Sequence, residues 1–278
     1  MKTETVWEVD FHPCPLLDDN QKRVWELLVC DASGAWRQQC YASNQDVNSR
    51  WVADRLQEFL AQAPAPPLMM RIFRMRMAAL LQRSGELIGI PTRLSRRVYA
   101  LNQWYQERQA QVYPQESAYT YKLEAMPSPE YDDPQPLPDA LQGERWALVT
   151  LRAKDFLSPW ASEFGELLPI DWTTRDPEQV IPGLLITSGR ARAMAAWMSG
   201  LDPYAVRIED NAELVLEVGG TACYSFARLT SDSLRQEAKG FQQRVEENGG
   251  IHFIAIQASL QAQSFAGFWL LALLDLEG

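Results

Sequence analysis

Residues 5–74 decide the fold of the first half of this chain, and they begin with Thr5-Val6-Trp7-Glu8-Val9-Asp10-Phe11. Apolar and polar side chains alternate along this opening stretch, and a period of two predicts a half-buried β-strand. Two further strands are predicted over residues 22–30 and 35–42, each after a turn rich in Asp, Asn, Ser or Gly. An amphipathic helix and a fourth strand over residues 69–74 complete a strand–strand–strand–helix–strand order.

The same order recurs in the second half of the chain. The predicted elements are strands over 205–209, 213–218 and 222–229, a helix, and a strand over 251–257. Ser231 or Asp232 is the predicted N-cap of that helix. A three-strand meander, a crossover helix and a fourth strand make one mixed sheet with helices packed on it. We therefore predict an α+β fold of two domains, and this order also fits a restriction-nuclease-like fold without its catalytic residues.

A segment rich in proline and acidic residues separates the two halves. Residues 114–143 carry Pro114, Pro127, Pro129, Pro134, Pro136 and Pro138, and proline at this density prevents a helix. We predict an N-terminal domain over residues 1–113, a linker over 114–143 and a C-terminal domain over 144–278. Both domains then have an ordinary size.

Composition restricts the class of protein. The 278 residues contain four cysteines and two histidines, and no two cysteines form a C-x-x-C pair. A disulfide framework or a zinc site is therefore not expected, and no cofactor is predicted. No cationic segment leads into an apolar run at the start, and no apolar stretch reaches the roughly 20 residues that span a bilayer. These features predict a cytoplasmic protein without direct membrane insertion.

The strongest positive signal is a basic segment inside an acidic chain. The net charge is −10, yet residues 71–108 hold eight Arg against two acids. Arginine suits bidentate recognition of phosphates, and Ser95 is predicted to cap a helix whose N-terminus favours anions. We predict that Tyr99 and Trp104 are exposed rings on that helix, able to stack on unpaired bases. The predicted phosphate contacts are Arg71, Arg74, Arg76, Arg93, Arg96, Arg97 and Arg108.

Two other functions compete with RNA binding. A divergent metal-dependent nuclease would assemble its site from Glu8, Asp10, Glu26 or Glu217, but neither third strand carries the acid–x–Lys pair of such enzymes. A protein-interaction scaffold would use the basic segment only as a solvated face that docks on an acidic partner. His12 and His252 are expected to be structural.

Seven ordered blocks of the chain together resemble one known family. The blocks are W-E-x-D-F (Trp7–Phe11), W-E-L-L-V-C-D (Trp25–Asp31), S-R-R-x-Y-A-L-x-Q-W-x-Q-E-R (Ser95–Arg108), P-L-P-x-A-L-x-G-x-R-W (Pro136–Trp146), A-A-W-M-S-G-L-x-P (Ala195–Pro203), G-x-H-F-x-A-x-Q (Gly250–Gln257) and F-A-G-F-W-L-L (Phe265–Leu271). With these blocks the chain resembles the Tab family, RNA-binding proteins of chloroplasts and cyanobacteria named for activating translation of the psaB message of photosystem I.

The resemblance implies a function without catalysis. It implies binding to single-stranded A/U-rich mRNA near translation starts and a role in photosystem biogenesis, with the translation machinery as a further candidate partner. It also marks Trp269, Leu270 and Leu271 as functionally important, since W-L-L is characteristic of the family. Trp269 would either contact RNA or hold the sheet that presents the site, because periodicity places it in a buried strand. Residues 272–278 extend past this tripeptide.

Overall fold

A mixed five-stranded sheet forms the centre of the first half of the protein. The computed structural model describes residues 5–120, 132–164, 168, 170–210 and 212–273. The strands of this sheet are β1 (Thr5–Leu17), β2 (Arg23–Asp31), β3 (Arg37–Ala42), β4 (Pro67–Ile72) and β5 (Thr92–Leu94). Their spatial order is β3-β2-β1-β4-β5, with an antiparallel meander over the first three strands and parallel pairing from β1 to β4 and from β4 to β5. The predicted element order over residues 5–74 is confirmed.

Two helices cover one face of this sheet. They are α1 (Ser49–Gln62) and α2 (Met75–Ile88), and they pack on Trp7, Val9 and Phe11 of β1. The amphipathic helix predicted between the third and fourth strands is α1, and Val52, Leu56 and Phe59 lie on its buried face. The period of two along β1 thus places every second side chain in the core beneath both helices, which β2 and β4 complete with Leu27, Val29, Met70 and Ile72.

A third helix covers the other face of the sheet. Helix α3 (Tyr99–Glu107) packs through Leu101, Trp104 and Tyr105 on Leu28 and Cys30 of β2. Because β4 and β5 are parallel neighbours, their carboxyl ends meet at one edge of the sheet. The chain enters α2 from the end of β4 and α3 from the end of β5, so both helices begin at that edge.

The second half of the protein holds two four-stranded sheets. One has the order β6-β11-β10-β9 and the other β13-β12-β8-β7. Their elements are β6 (Gln135–Pro136), β7 (Arg145–Arg152), β8 (Val180–Thr187), α4 (Ala191–Leu201), β9 (Pro203–Glu209), β10 (Glu213–Val218), β11 (Cys223–Arg228), α5 (Asp232–Glu247), β12 (Ile251–Gln257) and β13 (Gly267–Ala272). One apolar core joins both sheets to α4 and α5.

Strand pairing in the second half differs from the prediction. The elements follow in the predicted order, but β12 does not join the meander β9-β10-β11; it pairs in parallel with β8 and antiparallel with β13. Strands β8 and β12 are apolar on both faces, which suits two adjacent central strands. The α+β class and the two-part organisation are confirmed, whereas a single mixed sheet in the second half was wrong.

Residues of the predicted linker are found in both halves. The backbone amide of Leu17 donates to the carbonyl of Ala118 at 3.1 Å, and Tyr119 forms a bridge with Leu16 of β1. On the other side, β6 pairs with β11, and Leu141 is fully buried in the second core. The described residues form two compact units, over 5–120 and 132–273. The middle of the predicted linker, residues 121–131, lies outside the described residues.

Among the helices that the structure describes, none is both long and apolar enough to cross a membrane.

Candidate nucleic-acid interface

The face of β1 beneath α3 is lined with buried charged side chains. Glu8, Asp10 and His12 alternate with the apolar residues that face α1 and α2, and all three are almost fully buried. Glu26 of β2 lies opposite His12 in register and is also fully buried. Buried carboxylates are tolerated only with charged or hydrogen-bonding partners. The partners here come from the basic segment.

Arg74 neutralises Asp10. Its Nε lies 2.8 Å from both carboxylate oxygens of Asp10, and its guanidinium carbon lies 5.6 Å from the centre of the Tyr105 ring. Burial alone would raise the pKa of Asp10, but Arg74 and His12 outweigh burial and lower this pKa to about 2. Asp10 is therefore charged at neutral pH. Its ion pair with Arg74 connects β1 to the chain that follows β4.

Arg108 neutralises Glu26, and Tyr113 donates a hydrogen bond to it. The Nε of Arg108 donates to Glu26 at 3.1 Å, its Nη2 makes a second contact, and the Tyr113 hydroxyl donates to the same carboxylate. Burial first, and then the charge of Glu26, raise the pKa of Tyr113 well above its ordinary value. Arg108 opens a π-helical segment, Arg108–Val112, that directly follows α3. This irregular turn brings both partners over β2.

Glu8 holds the start of α3. Its carboxylate accepts a hydrogen bond of 2.8 Å from the backbone amide of Leu101, the third residue of the helix. A side chain from β1 therefore satisfies a free amide of the first turn. The predicted N-cap, Ser95, is not the cap; the cap position is Val98, and Ser95 is buried and accepts from the amide of Arg97.

Several predicted RNA-contacting residues are not exposed. Arg96 and Arg97 retain only 3% and 5% of their accessible surface, and Arg71 and Arg108 are also buried. Trp104 is 8% exposed, packed in the α3 core with Arg37 and Arg108 over its ring. The prediction of solvent-facing arginines and an exposed Trp104 was wrong for these residues. Arg108 is drawn inside by the buried carboxylate of Glu26, and Trp104 packs in the apolar cluster of α3 and β2.

Other predicted contacts do reach solvent. Arg76 in the first turn of α2 is exposed, while Arg93 of β5 and Tyr99 of α3 are half-buried. Arg74 keeps a small exposed fraction beside them. These residues follow or end β4 and β5, whose carboxyl ends share one edge of the sheet. We call Arg76, Arg93 and Tyr99 the basic edge.

Charge counting explains why this edge is positive. Arginines 71, 74, 96, 97 and 108 of the first unit have little accessible surface, against three buried carboxylates, those of Glu8, Asp10 and Glu26. The formal sum of these charges is +2, held in an interior where water screens weakly. Arg76 and Arg93 add two more positive charges at the edge. The protein as a whole carries −10, so the positive region is local.

The family tripeptide lies in the core of the second unit. Trp269 is 7% exposed, and Leu270 and Leu271 are fully buried in β13. Trp269 and Leu271 face the core shared with α4, and Leu270 points to the opposite face of the strand. For Trp269, either a contact with RNA or a structural role in the sheet was left open, and its burial in the core supports the structural role.

The acids considered for a nuclease are engaged in other interactions. Glu8 binds a helix amide, Asp10 and Glu26 bind arginines, and Glu217 binds Arg207 in the second unit. Over the described part of the chain, no three His, Cys, Asp or Glu side chains are grouped so as to hold a metal ion. The expected structural role of His252 is confirmed, since its Nε2 accepts from the Val206 amide at 2.9 Å and its Nδ1 contacts the Gly250 carbonyl.

One exposed ring was not predicted. Trp197 lies on α4 with 56% of its surface accessible. The apolar stripe of this helix, Ala191, Met194, Ala195 and Met198, is buried. The position of Trp197 outside the apolar stripe of the helix was the feature of the sequence from which its exposure could have been predicted.

Comparisons with known proteins agree with a nucleic-acid-binding protein of two domains. Residues 6–108 match the N-terminal model of the RNA-binding protein Tab2/Atab2, and residues 125–272 match its C-terminal domain. The chloroplastic protein TAB2 homolog of Arabidopsis thaliana is 32% identical over 277 residues, covering 95% of this chain and 74% of the relative. The chloroplastic homolog of Zea mays is 33% identical over 278 residues, covering 95% and 70%.

These matches define a class of protein and then a family. The class is that of two-domain RNA-binding proteins. The chain belongs to the Tab2/Atab2 family of RNA-binding proteins, as its resemblance in seven blocks predicted. Among solved structures, a chain of the simian T-cell lymphotropic virus intasome with PP2A regulatory subunit B56 gamma covers 83% of both chains at 10% identity and a TM-score of 0.29, a likeness that carries no argument.

Proposed function

We propose that this protein binds single-stranded, A/U-rich mRNA and acts without catalysis in the translation of photosystem reaction-centre messages. The observation that carries the proposal is the set of five arginines of low exposure and three buried carboxylates in the first unit, with a formal charge of +2 in an acidic protein. Family membership and the chloroplastic relatives support an RNA partner and a photosynthetic setting. The proposed compartment is the cytoplasm of a photosynthetic bacterium.

The basic edge is the proposed contact surface. Arg76 and Arg93 would contact phosphates, and Tyr99 would stack on an unpaired base. Arg74 is proposed to contribute at the same edge while bound to Asp10. The buried Arg71, Arg96, Arg97 and Arg108 would act through their electrostatic field rather than by direct contact, since charges in a weakly screened interior attract a polyanion at short range.

The chemistry of the carboxylates supports a function without catalysis. A carboxylate that coordinates a catalytic metal ion, or that accepts a proton from the water bound to it, needs oxygen atoms that are not engaged elsewhere. The oxygens of Asp10 and Glu26 are directed to arginine donors, and Glu8 accepts from a helix amide. RNA that stays intact in the presence of Mg²⁺ or Mn²⁺ is therefore the expected result.

The test is fluorescence anisotropy with a labelled A/U-rich single-stranded RNA, a GC-rich duplex as a control, and gel analysis of the RNA afterwards. With roughly four phosphates neutralised, the logarithm of the affinity should fall with the logarithm of salt concentration with a slope of about −3. The double variant Arg76→Ala/Arg93→Ala should weaken binding and flatten this slope to about −1.5.

A matched variant controls for net charge. Arg50→Ala/Arg83→Ala also removes two exposed arginines, from α1 and from further along α2, and should leave the slope unchanged. Equal losses in both double variants would contradict the basic edge as the contact surface. Absence of RNA binding at low salt would instead favour an acidic protein partner, and metal-dependent cleavage would favour a nuclease.

A further inference from the structure

The outward side of helix α4 has no role in the function proposed above. While one stripe of this helix is buried in the second core, Ala193, Ala196, Trp197 and Gly200 face solvent. The indole of Trp197 keeps 56% of its surface accessible, a larger fraction than that of any other described ring. Tryptophan is on average a highly buried residue, so an indole this open calls for a physical explanation.

One face of the Trp197 ring is open to a ligand. No described ring or cation lies in stacking contact with it. Residues one helical turn away are neighbours on a helix surface, and on the outward side these are Ala193 and Gly200. Neither has a side chain that could cover the indole, and a Cβ added to Gly200 would meet no atom within 4 Å.

Exposed arginines on three other helices are neutralised within their own helix. Each lies within ion-pair distance of a carboxylate three or four residues away, which is one helical turn. These pairs are Arg50 with Asp54 on α1, Arg83 with Glu86 on α2 and Arg235 with Asp232 on α5. A solvated basic face in this protein is therefore balanced locally.

Helix α4 has no such balance. Residues 190–201 contain two arginines and neither Asp nor Glu, so they carry +2 in a chain of −10. Arg190 and Arg192 are both exposed, and neither forms an ion pair with a described carboxylate. Arg190 instead donates to the backbone carbonyl of Asp139 at 3.1 Å. The charge of this helix favours an anionic partner.

Two acids approach the start of α4, and each accepts a hydrogen bond from another group. The Glu144 carboxylate accepts from the Gly189 amide at 2.9 Å, and the Asp139 carboxylate accepts from the Gln142 amide group at 3.2 Å. Both lie at the end of the helix where Arg190 lies and weaken the positive field there. Arg192 is therefore expected to be the stronger contact for an anion.

The ring and the arginines lie within reach of one ligand. Side chains on a helix lean toward its N-terminus, so the Trp197 indole extends over Ala193 toward the two arginines. Arg190 lies seven residues earlier, almost two full turns, which places it on the same side about 10 Å away along the axis. An open ring beside positive charge is the arrangement that holds single-stranded nucleic acid without sequence preference.

We propose that the exposed side of α4 is a second RNA-binding site, where one base stacks on the indole of Trp197 and phosphates contact Arg190 and Arg192. The inference rests on the proposed function, because the ligand is the same single-stranded RNA. No base preference is expected, since every base presents a flat ring. The site gives the second unit a direct contact with RNA, which the buried W-L-L tripeptide does not.

The experiment measures anisotropy of a labelled A/U-rich single-stranded RNA with variants of Trp197. Trp197→Ala should weaken binding by about tenfold through loss of one stacked base, whereas Trp197→Phe keeps a ring and should retain most of the affinity. Leu260→Ala is the matched control, because it removes another apolar side chain of the second unit that is 59% exposed. It should bind RNA as the natural protein does.

Salt dependence separates the ring from the arginines. Stacking releases no counterions, so Trp197→Ala should lower the affinity at every salt concentration without changing the slope. Arg190→Gln/Arg192→Gln should flatten the slope by about 1.4, which corresponds to two phosphates on a single strand. Glutamine at position 190 retains a donor for the Asp139 carbonyl. An unchanged slope in this double variant would contradict the phosphate contacts.

Fluorine NMR tests direct contact with the ring. The protein contains ten tryptophans, and in 5-fluorotryptophan-labelled protein the signal that is missing from Trp197→Phe belongs to Trp197. RNA should shift this signal. A signal that stays in place at saturating RNA would overturn the site. Urea unfolding should give equal stability for the natural protein and Trp197→Ala, because the side chain is mostly in solvent.

The natural protein and the variant test different statements. RNA binding that Trp197→Ala leaves unchanged would refute the site on α4 and leave the proposed function standing. Absence of RNA binding by the natural protein would refute the proposed function itself. Sedimentation velocity addresses the other occupant: a dimer of the natural protein that dissociates in Trp197→Ala, with RNA affinity unchanged, would assign this side of α4 to a second copy of the chain and overturn the inference.

Discussion

The indole ring of Trp269 lies directly against Gly267, two residues earlier in β13. A Cβ on Gly267 would come within 2.4 Å of the ring and within 2.8 Å of the Cβ of Ala195 on α4. The absence of a side chain at Gly267 therefore leaves the space that the Trp269 ring occupies in the core. The W-L-L tripeptide that characterises the family is thereby tied to the packing of α4 on the sheet rather than to solvent.

Replacement of this glycine should destabilise the second unit. Gly267→Ala forces the ring or α4 to move, and we expect a loss of about 1–3 kcal/mol in the free energy of unfolding, while Trp269→Ala should lose about 3–5 kcal/mol. Urea unfolding followed by tryptophan fluorescence measures both. Gly200→Ala on α4 is the control, because the added Cβ meets no atom within 4 Å, and it should not destabilise. Strong loss of RNA affinity in a stably folded Trp269→Ala protein would contradict this structural role.

Acid should release the contact between Asp10 and Arg74. The pKa of Asp10 is about 2 in the folded protein against 3.8 as its ordinary value, so the folded state favours the charged form. This contribution to stability is present above pH 4 and is lost as the pH falls toward 2, by about 2 kcal/mol. Unfolding measured between pH 5 and 2 should show this slope, and Asp10→Asn should lack it. An identical slope in the variant would show that other groups cause it.

A second pH dependence should come from His252 at milder pH. Burial lowers its pKa to about 4, below the ordinary value of 6.5, although the Gly250 carbonyl acts in the opposite direction. The unfolded chain therefore binds a proton first, and stability should fall by about 3 kcal/mol as the pH drops from 6.5 to 4. Denaturant unfolding across this range tests the effect. His252→Gln should be less stable at neutral pH but flatter in its pH profile, and an unchanged profile would contradict the assignment.

Loss of the Glu8 carboxylate should loosen the start of α3. Glu8→Ala leaves the Leu101 amide without its acceptor in a buried setting, a change that costs about 1–3 kcal/mol. Hydrogen exchange at the Leu101 amide should accelerate accordingly. Glu8→Gln retains an acceptor oxygen and should preserve much of the protection. Equal exchange in the natural protein and Glu8→Ala would mean that the cap does not hold the helix.

Local patterns predicted the elements well. Strand β10 was predicted with its observed bounds, because Leu214, Leu216 and Val218 alternate with the other face between two turns. The N-cap of α5 is Ser231, one of the two residues predicted for it, since a cap depends on the spacing within one helix. Strand β5 was missed because three residues are too few to show a period.

The arrangement beneath α3 could not be predicted in the same way. Hydrophobic periodicity assigns Glu8, Asp10 and Arg96 to solvent, because charged side chains are rarely buried unless they are paired. The partners of Glu8 and Asp10 are Leu101 and Arg74, which lie 93 and 64 residues away, and no local pattern reports such separations. The pairing of β12 with β8 and β13 could not be predicted for the same reason, because local patterns do not show which of several distant strands become neighbours.

The bond from Glu8 to Leu101 also bears on how the protein matures during its own synthesis. The strand made first, β1, is central in the sheet and needs β2 and β4 as neighbours, while Glu8 on its polar face needs the amide of Leu101, 93 residues later in α3. A nascent chain shorter than this leaves Glu8 without its amide partner and Glu26 without Arg108. The first unit therefore becomes a finished domain only when α3 leaves the ribosome, so a pause in translation before that helix would delay its assembly.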